Sequence, residues 1–308
     1  MKKVMAPVMA AAMVASFGAM VSAEDETVSL TVWGAEEDQT LLKELTDNFQ
    51  ATYPDQTFDI QIGVESESTA KDTILTDVEA AADVYAFADD QLTDLVKAGA
   101  LLKLDDYAEV LQMAGKTLDD VKTANVEGSV DAAMIDGGLY AFPRAADNGY
   151  FLYYDASVLS EEDVASWSSL LEAADAAGKK VGMTLASGWY NASFFYGAGF
   201  TTALNDDGTT AIDWNGTSAD GYTGVDVVKG MLDIAGSPAF MAIADGDISN
   251  QLASGNLVAC VSGTWDAMTA QEVFGDGYAA TKLPTFTVGD QEVQQGSVAG
   301  YKYIGVNG

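Results

Sequence analysis

The alternation of apolar and polar positions predicts a chain in which strands and helices follow one another. Residues 28–35, VSLTVWGA, form an apolar run typical of a buried strand. Apolar residues then recur at the spacing of one helical face: Leu41, Leu42, Leu45 and Phe49. In residues 56–64, QTFDIQIGV, every second residue is apolar, which indicates a half-buried strand. Further strand–helix units follow up to residue 100, which favours a mostly parallel sheet with helices on both faces.

A second α/β section follows a change of pattern near residue 140. Two extended runs flank the DGG turn at 136–138, and the chain then passes through Pro143. The next helix is predicted to begin at a capping box formed by Ser160 and Asp163. The pattern predicts an N-terminal lobe over 24–145, a C-terminal lobe over 146–284 and a return segment to the N-terminal lobe over 285–308. This return segment stops without the helix that usually follows such a strand, so the fold is expected to be incomplete there.

Residues 1–23 are predicted to be a signal peptide. Lys2 and Lys3 precede an apolar stretch, and the small residues of VSA before Glu24 fit a cleavage site. An uncleaved membrane anchor is the alternative. No cysteine lies near the cleavage site, so a lipid anchor is not predicted. The protein is expected to be exported, to the periplasm or the extracellular space.

The composition excludes several classes of function. Among 308 residues, 47 are acidic and 14 basic, and this negative surface disfavours binding to nucleic acid or anionic membranes. The absence of histidine removes Ser-His-Asp, Cys-His and HExxH chemistry. The single cysteine, Cys260, lies in an apolar run and is expected to be a buried thiol. No cofactor or metal site is predicted.

Large aromatic residues stand where three predicted strands end. Trp33, Trp189 and Trp265 each follow an apolar run, and Phe87 precedes the acidic pair of ADD in the same way. In open α/β sheets, ligands bind beyond the carboxyl ends of the strands. Flat rings beside carboxylates and amides suit a sugar, because the ring stacks on the pyranose and the polar groups bind its hydroxyls. The alternative for each ring is packing in the core.

Arg144 is the only arginine of the chain and lies in FPRAADN, where the first lobe passes into the second. Its planar group of five donors suits vicinal hydroxyls or a carboxylate. An incidental surface arginine is the alternative.

Four segments together resemble the extracellular solute-binding proteins of ABC sugar importers, of the maltose/maltodextrin type. In chain order they are LTVWGAEEDQTLLKELTDNFQATYP, ADVYAFADDQLTDLVKAGALLKL, GLYAFPRAADNGYFLYYDASVL and LASGNLVACVSGTWD followed by YAATKLPTF. Each segment alone is a weak signal, whereas their order and spacing make a strong one. The resemblance implies a two-lobed periplasmic-binding-protein type II fold with the ligand cleft between the lobes, here without its C-terminal helices.

The resemblance also implies a function and a set of site residues. The protein is expected to bind an oligosaccharide, to deliver it to ABC transporter permease subunits by closing its lobes, and to act as a monomer without enzymatic activity. The predicted ligand-binding residues are Trp33, Glu36, Glu37, Asp38, Phe87, Asp90, Arg144, Asp147, Trp189, Tyr190, Asn191 and Trp265. In the stretch 187–200, Trp189, Tyr190 and Asn191 are expected to face the ligand, and the three phenylalanines to anchor the helix.

The chain departs from the maltose receptors at three positions. Gln91 stands where a sugar-binding arginine is found in those proteins, Ser187 where a carboxylate is found, and Arg144 at an apolar position. The sugar is therefore predicted only as an oligosaccharide. Three alternatives stay open: a receptor of the same fold for a polyamine, iron complex or peptide; an exported glycoside hydrolase with two carboxylates; and an adhesive surface protein.

Overall fold

The computed structural model describes residues 27–205 and 209–308. The described residues divide into two compact units: unit 1 contains those up to Asn148 together with Gly300–Gly308, and unit 2 contains those from Gly149 to Ala299. The predicted signal peptide lies outside the described residues. Unit 1 ends three residues later than the lobe boundary predicted at 145. The predicted return segment is divided, because residues 285–299 lie in unit 2 and only 300–308 in unit 1.

Unit 1 is built on a five-stranded sheet in the order β2-β1-β3-β16-β6. Its strands are β1 (Val28–Gly34), β2 (Phe58–Val64), β3 (Val84–Ala88), β6 (Phe142–Ala145) and β16 (Lys302–Val306), with a small hairpin of β4 (Met134–Ile135) and β5 (Gly138–Leu139). Its helices are α1 (Gln39–Thr52), α2 (Ala70–Ile74), α3 (Leu92–Lys97), α4 (Ala108–Met113), α5 (Leu118–Thr123) and α6 (Glu127–Asp131). Strands β1, β2 and β3 are parallel, and β16 runs antiparallel to both β3 and β6. The carboxyl ends of β1, β2, β3 and β6 therefore share one edge with the amino end of β16.

In helix α1 the spacing of apolar residues determines which face packs on the sheet. Leu42, Leu45 and Phe49 are buried on one face, as the spacing predicts, whereas Leu41 is exposed. A residue one position before Leu42 is rotated by about 100° around the helix, so it faces away from the sheet. The buried face of α1 covers the sheet of unit 1 and closes its core on that side.

Unit 2 repeats the architecture with a sheet in the order β11-β8-β12-β7-β13. Its strands are β7 (Phe151–Asp155), β8 (Lys180–Met183), β9 (Thr202–Leu204), β10 (Thr210–Ile212), β11 (Phe240–Ala242), β12 (Leu257–Ser262), β13 (Tyr278–Thr281), β14 (Thr285–Val288) and β15 (Gln291–Gln294). Its helices are α7 (Trp167–Ala176), α8 (Gly188–Gly197), α9 (Gly224–Ala235), α10 (Ile248–Ala253) and α11 (Ala267–Phe274). Strands β11, β8 and β12 are parallel, and β7 is antiparallel to β12 and β13.

The β14–β15 hairpin explains why residues 285–299 belong to unit 2. Phe286, Val288 and Val293 are buried in the core of unit 2, and the Phe286 ring meets Phe194 edge to face at 4.9 Å. The alternation of apolar and polar residues in β14 and β15 is therefore explained by a hairpin with one face on the core of unit 2. Only β16, which follows it, returns to unit 1.

Helix α7 begins later than the sequence predicts. Ser160 and Asp163 do exchange hydrogen bonds, but they close a turn, and the N-cap of α7 is Ser166, which forms a capping box with Ser169. Both pairs have the same Ser-x-x-acceptor spacing, and the helix starts at the second because Trp167 then enters the core.

Candidate functional site

A chain of ion pairs occupies the carboxyl edge of the unit 1 sheet. Arg144, at the end of β6, donates one guanidinium nitrogen to Asp38 and the other to Glu67. Asp38 lies in the 3₁₀ turn Glu36–Asp38 after β1, and Glu67 lies in the loop after β2. Lys302, at the start of β16, approaches Glu67 with its Nζ 3.8 Å from Oε1. Four segments that end or begin at this edge are thus joined through their charges.

Arg144 therefore does not occupy an incidental surface position. Its side chain is only 15% exposed, and its two partners are exposed by 16% and 6%. A planar group with five donors can bridge two carboxylates, which a lysine cannot do in the same geometry. Two of its donors are taken by protein carboxylates, so a direct contact with sugar hydroxyls would use the donors that remain.

Glu67 was not among the sequence-predicted residues, and the buried amide of Gln91 fixes its loop. Gln91 donates from Nε2 to the backbone oxygens of Glu67, at 2.5 Å, and Ser68, at 3.2 Å, and it accepts the Lys71 backbone N–H at 2.9 Å. The resemblance to maltose receptors implies an arginine at the position of Gln91. Here its side chain is used to shape the loop that carries Glu67.

Burial changes the acidity of three carboxyls at this edge. Desolvation raises the pKa of Asp38, although Arg144 acts in the opposite direction. Desolvation likewise raises the pKa of Asp89 and of Asp90, which lie in the 3₁₀ turn Asp89–Gln91 after β3. The Asp89 carboxylate accepts the backbone N–H of Asp90 at 3.1 Å. Asp90 is the most accessible of the three residues, so it keeps contact with solvent although neighbouring atoms desolvate its carboxyl.

The remaining predicted acids of unit 1 are also accessible. Glu36 and Glu37 are exposed on the 3₁₀ turn that carries Asp38, and Asp147 is exposed beyond the end of β6. Asn148, which follows Asp147, donates its backbone N–H to the Gly300 carbonyl at 3.2 Å. These acids stand beside the ion-pair chain at the same edge of the sheet.

Trp33 lies apart from these charges. Its indole covers Gly63 of β2, where an added Cβ would stand 2.7 Å from the ring. The ring is half-buried and lines a depression of about 410 Å³ on the side of α2 and the turns after it. The other lining residues are Asp72, Thr73, Thr76, Asp77, Ala80 and Ala81. Trp33 is the second-last residue of β1, close to the predicted strand end, but its ring lies over Gly63 of the neighbouring strand.

Phe87 is a core residue, which corrects the prediction that it contacts ligand. Its exposure is 0%, and its ring lies 5.6 Å from Tyr303 and 6.1 Å from Tyr85. The sequence pattern ended the strand at this ring, but β16 pairs along β3 and sets Tyr303 opposite Phe87. Strand β16 therefore covers a position that the first three strands alone would leave open.

Aromatic rings dominate the carboxyl edge of unit 2. Trp189 lies at the start of α8, after β8, and its ring meets Tyr150 edge to face at 5.8 Å. The Tyr150 hydroxyl donates to the Trp189 carbonyl at 2.8 Å and so fixes the first turn of α8. Trp189 is half-buried, which leaves part of its ring available.

Tyr190 points into the core, against the prediction that it forms a platform. Its exposure is 5%, its ring packs on Tyr150 at 4.9 Å, and burial raises the pKa of its phenol. Consecutive residues of a helix point about 100° apart, so Trp189 and Tyr190 cannot both face outward. Asn191 is half-buried, and its side-chain amide lies 3.5 Å from the Leu185 carbonyl.

Trp265 lies in the 3₁₀ turn Thr264–Asp266 directly after β12, with its ring over Gly263. An added Cβ at Gly263 would stand 2.2 Å from that ring and 2.5 Å from the Gly149 carbonyl oxygen. The Tyr153 hydroxyl donates a hydrogen bond of 2.9 Å to the Gly263 carbonyl. Glycine is thus required here by the close approach of ring and backbone.

The two edges offer binding groups of the kinds used for uncharged polar ligands. Unit 1 presents carboxylates around a fixed guanidinium, and unit 2 presents two partly exposed indoles. Within residues 27–205 and 209–308, no three His, Cys, Asp or Glu side chains are grouped so that they could ligate a metal ion. In the same ranges no helix is both long and apolar enough to cross a bilayer.

Comparison with known proteins places this architecture in a family. The sequence model of one protein family, the bacterial extracellular solute-binding proteins, matches residues 44–308. A solved structure determined with acarbose is 31% identical in sequence and has a TM-score of 0.74. The match covers 92% of this chain and 71% of the chain in that structure. Among curated proteins, none matches the chain.

Two further solved structures share the fold at lower identity. A maltodextrin-binding protein of L. casei BL23 without ligand is 23% identical, with 92% of this chain and 70% of that one covered and a TM-score of 0.64. A maltose/maltodextrin-binding domain from Bdellovibrio bacteriovorus, bound to maltotriose, is 16% identical over 91% of this chain and 71% of that one, with a TM-score of 0.71. The predicted α/β fold class is confirmed, and the chain belongs to the bacterial extracellular solute-binding proteins, a family of exported proteins.

Proposed function

We propose that this protein binds an oligosaccharide of the maltodextrin type outside the cytoplasm and delivers it to the permease subunits of an ABC importer. The observation that carries the proposal is the placement of Trp189 and Trp265. They follow β8 and β12, which are adjacent parallel strands, so both rings stand at one edge of the unit 2 sheet. Two indoles at that edge suit stacking on successive sugar rings.

The carboxyl edge of unit 1 supplies polar partners in the same proposal. Asp90, Asp147 and the acids beside Asp38 are accessible hydrogen-bond acceptors for sugar hydroxyls. The Arg144 bridge holds Asp38 and Glu67 in place, so these partners need little rearrangement when a ligand arrives. The relative that was solved with acarbose supports a maltodextrin-like oligosaccharide as the ligand.

A titration of the purified chain tests the proposal. Tryptophan fluorescence and calorimetry are recorded with α-glucan, β-glucan and xylan oligosaccharides in separate series. We expect saturable binding in the α-glucan series. We also expect that W189A and W265A each weaken binding about tenfold, because each removes a stacking surface worth roughly 1.4 kcal/mol. A flat response to every sugar from a folded protein contradicts the proposal.

A variant of a third tryptophan distinguishes loss of a ligand contact from a general loss of protein stability. Trp214 stacks on Phe195 at 4.3 Å with nearly parallel rings and is placed in the core packing of unit 2. W214F removes one indole but keeps an aromatic ring there, so it should bind sugar like the parent. If W214F weakens binding as much as W265A, the two edge rings have no special role.

The same samples distinguish the other candidate functions. We propose that the protein is a monomeric binding protein without catalytic activity, so the sugar recovered after incubation should be unchanged on chromatography. Cleaved sugar would indicate a glycoside hydrolase. Saturable binding of spermidine or of peptides in place of sugar would indicate a receptor for another solute. Closure of the two units around the ligand is part of the proposal, and small-angle scattering with and without sugar measures it.

A further inference from the structure

Two buried tyrosines lie close together along the chain at the carboxyl edge of unit 2. Tyr150 directly precedes β7 and is 2% exposed, and Tyr153 lies within β7 and is 0% exposed. A buried phenol hydroxyl needs a hydrogen-bond partner, because its desolvation otherwise costs free energy. Each of these hydroxyls donates to one backbone carbonyl, and each carbonyl belongs to a segment that carries an edge tryptophan.

Tyr150 holds the segment that carries Trp189. Its hydroxyl donates to the Trp189 carbonyl at 2.8 Å, in the first turn of α8, and its ring meets the indole edge to face at 5.8 Å. The backbone of Tyr150 is held in turn by Ser297, whose hydroxyl donates to the Tyr150 carbonyl at 2.6 Å. One tyrosine therefore contacts both the backbone and the ring of Trp189.

Tyr153 holds the segment that carries Trp265. Its hydroxyl donates to the Gly263 carbonyl at 2.9 Å, and the same carbonyl accepts the Asp266 backbone N–H at 3.2 Å. These two bonds fix the 3₁₀ turn on both sides of Trp265. Because the indole lies over Gly263, a shift of this glycine moves the surface on which the ring rests.

The two hydroxyls act from one short piece of chain. Phe151, the first residue of β7, pairs with Ser262, the last residue of β12, so this end of β7 lies at the carboxyl edge of the sheet. Phenylalanine in place of Tyr150 or Tyr153 would fill nearly the same space, but it could not donate to a carbonyl. Residues 150–153 therefore connect the positions of both edge tryptophans.

We propose that Tyr150 and Tyr153 are positioning residues that fix Trp189 and Trp265 respectively, and so set the spacing of the two sugar-stacking rings. The inference rests on the proposed function for its consequence in binding, whereas its structural content holds in the ligand-free protein. A site with a fixed ring spacing favours oligosaccharides whose sugar rings match both indoles at once. Selectivity for oligosaccharide length is therefore expected to depend on both hydroxyls.

The test uses the ligand-free protein labelled with 5-fluorotryptophan, in which W189F and W265F assign the two edge resonances. Y150F should shift or broaden the fluorine resonance of Trp189 and leave that of Trp265 unchanged, and Y153F should do the reverse. Each variant keeps its ring and loses one donor, so each is the matched control of the other. A variant that leaves its own resonance unmoved, or moves the other resonance as much, overturns the proposal.

A buried tyrosine of unit 1 controls for the loss of any buried phenol hydroxyl. Tyr303 is 0% exposed and donates to the Ser129 carbonyl at 2.9 Å, so Y303F makes the same chemical change within the core of unit 1. Neither fluorine resonance should move in Y303F. A shift like those of the other two variants would mean that the resonances report a general loosening, and the positioning roles would fail.

Calorimetry with maltose and maltotetraose gives a second readout. We expect the affinity for maltotetraose to fall about fivefold in Y150F and in Y153F, because ordering a ring that is no longer held costs binding free energy. The affinity for maltose should fall less, since maltose can stack on one ring. An equal loss for both sugars would overturn the role in spacing. If the resonances respond as expected but the parent binds no sugar, the positioning roles stand and the proposed function fails.

Should Y150F or Y153F not fold, the parent protein decides. A tyrosine labelled with carbon-13 at Cζ gives two resonances in an equal mixture of light and heavy water when its hydroxyl exchanges slowly, as a buried and hydrogen-bonded hydroxyl should. Two resonances are expected for Tyr150 and for Tyr153. A single averaged resonance for either tyrosine would show that its hydroxyl is not held, and would overturn its positioning role.

Discussion

The carboxyl edges of the two units carry different types of side chain on similar sheets. In unit 1, Arg144 and Lys302 hold Asp38 and Glu67 in a partly buried chain of charges. In unit 2, the edge carries Trp189 and Trp265, each on a segment whose backbone carbonyl accepts a buried tyrosine hydroxyl. Each unit has a five-stranded sheet in which three adjacent strands run parallel and end at that edge.

The contrast shows that the two edges tolerate damage differently. Removal of one member of a buried chain of ion pairs lowers the folding stability strongly, because its partners are left buried and unpaired. A stacking surface loses contact area in proportion to what is removed. Variants of unit 1 should therefore affect folding first, and variants at the edge of unit 2 should affect binding first. Four measurements test this contrast.

The largest effect is expected from R144A. It leaves Glu67, whose side chain is 6% exposed, with only Lys302 at 3.8 Å, and unit 1 should lose about 3 kcal/mol of unfolding free energy in urea titrations followed by circular dichroism. R144A/E67Q should recover part of this loss, since the uncompensated charge is gone. Equal stability of the parent and R144A would show that the charge chain does not hold unit 1 together.

The next effect is expected from G263A, which leaves every aromatic ring in the sequence. The added Cβ would stand 2.2 Å from the Trp265 ring and must displace it. Sugar affinity should fall about tenfold, as far as in W265A. Calorimetry measures both variants side by side. An affinity like that of the parent would mean that the position of the Trp265 ring is unimportant.

A smaller effect, on stability alone, is expected from F87L. Phe87 is fully buried, so a change of shape at nearly constant hydrophobicity should cost about 1 kcal/mol of unfolding free energy. Sugar affinity of the folded protein should be unchanged. A selective loss of affinity would restore the sequence-based view of Phe87 as a ligand contact.

The smallest effect concerns the pH dependence of unit 1. Burial raises the pKa of Asp89 above 3.8, so the folded protein still binds this proton at pH values where the unfolded chain has released it. This contribution to stability is present at low pH and is lost as pH rises through the raised pKa. D89N mimics the protonated form and should stabilise unit 1 at pH 7 by about 0.5 kcal/mol.

The control for D89N is D106N, which removes the same charge at an exposed position. Only D89N should flatten the slope of unfolding free energy between acidic and neutral pH. Identical slopes for the two variants would assign the pH dependence to the overall negative charge.

Local patterns predicted most of the fold and the position of the unit 2 tryptophans after their strands, because those signals lie within a few residues. The strand before Trp265 and the buried face of α1 are read directly from the spacing of apolar side chains. Glu67 could not be found in this way. It is one of 47 acidic residues, and its role comes from Arg144, which is 77 positions away.

The errors have the same physical origin. The sequence pattern predicts an open strand end at Phe87, because the strand that covers this residue, β16, lies far away along the chain. Tyr190 was placed beside Trp189 in a ligand-facing role, but the turn of the helix separates their directions. The boundary at 285 was set by an extended pattern that fits a returning strand and a hairpin equally well.

The position of β16 has a further consequence for the order of folding. Unit 2 is one uninterrupted stretch, Gly149–Ala299, whereas the sheet of unit 1 needs Lys302–Val306 between β3 and β6. Until that strand is synthesised, Phe87 lacks its neighbour Tyr303, and the middle of the unit 1 sheet has two unpaired edges. All strands of the unit 2 sheet therefore precede β16 along the chain, and we expect this sheet to form before that of unit 1 is complete.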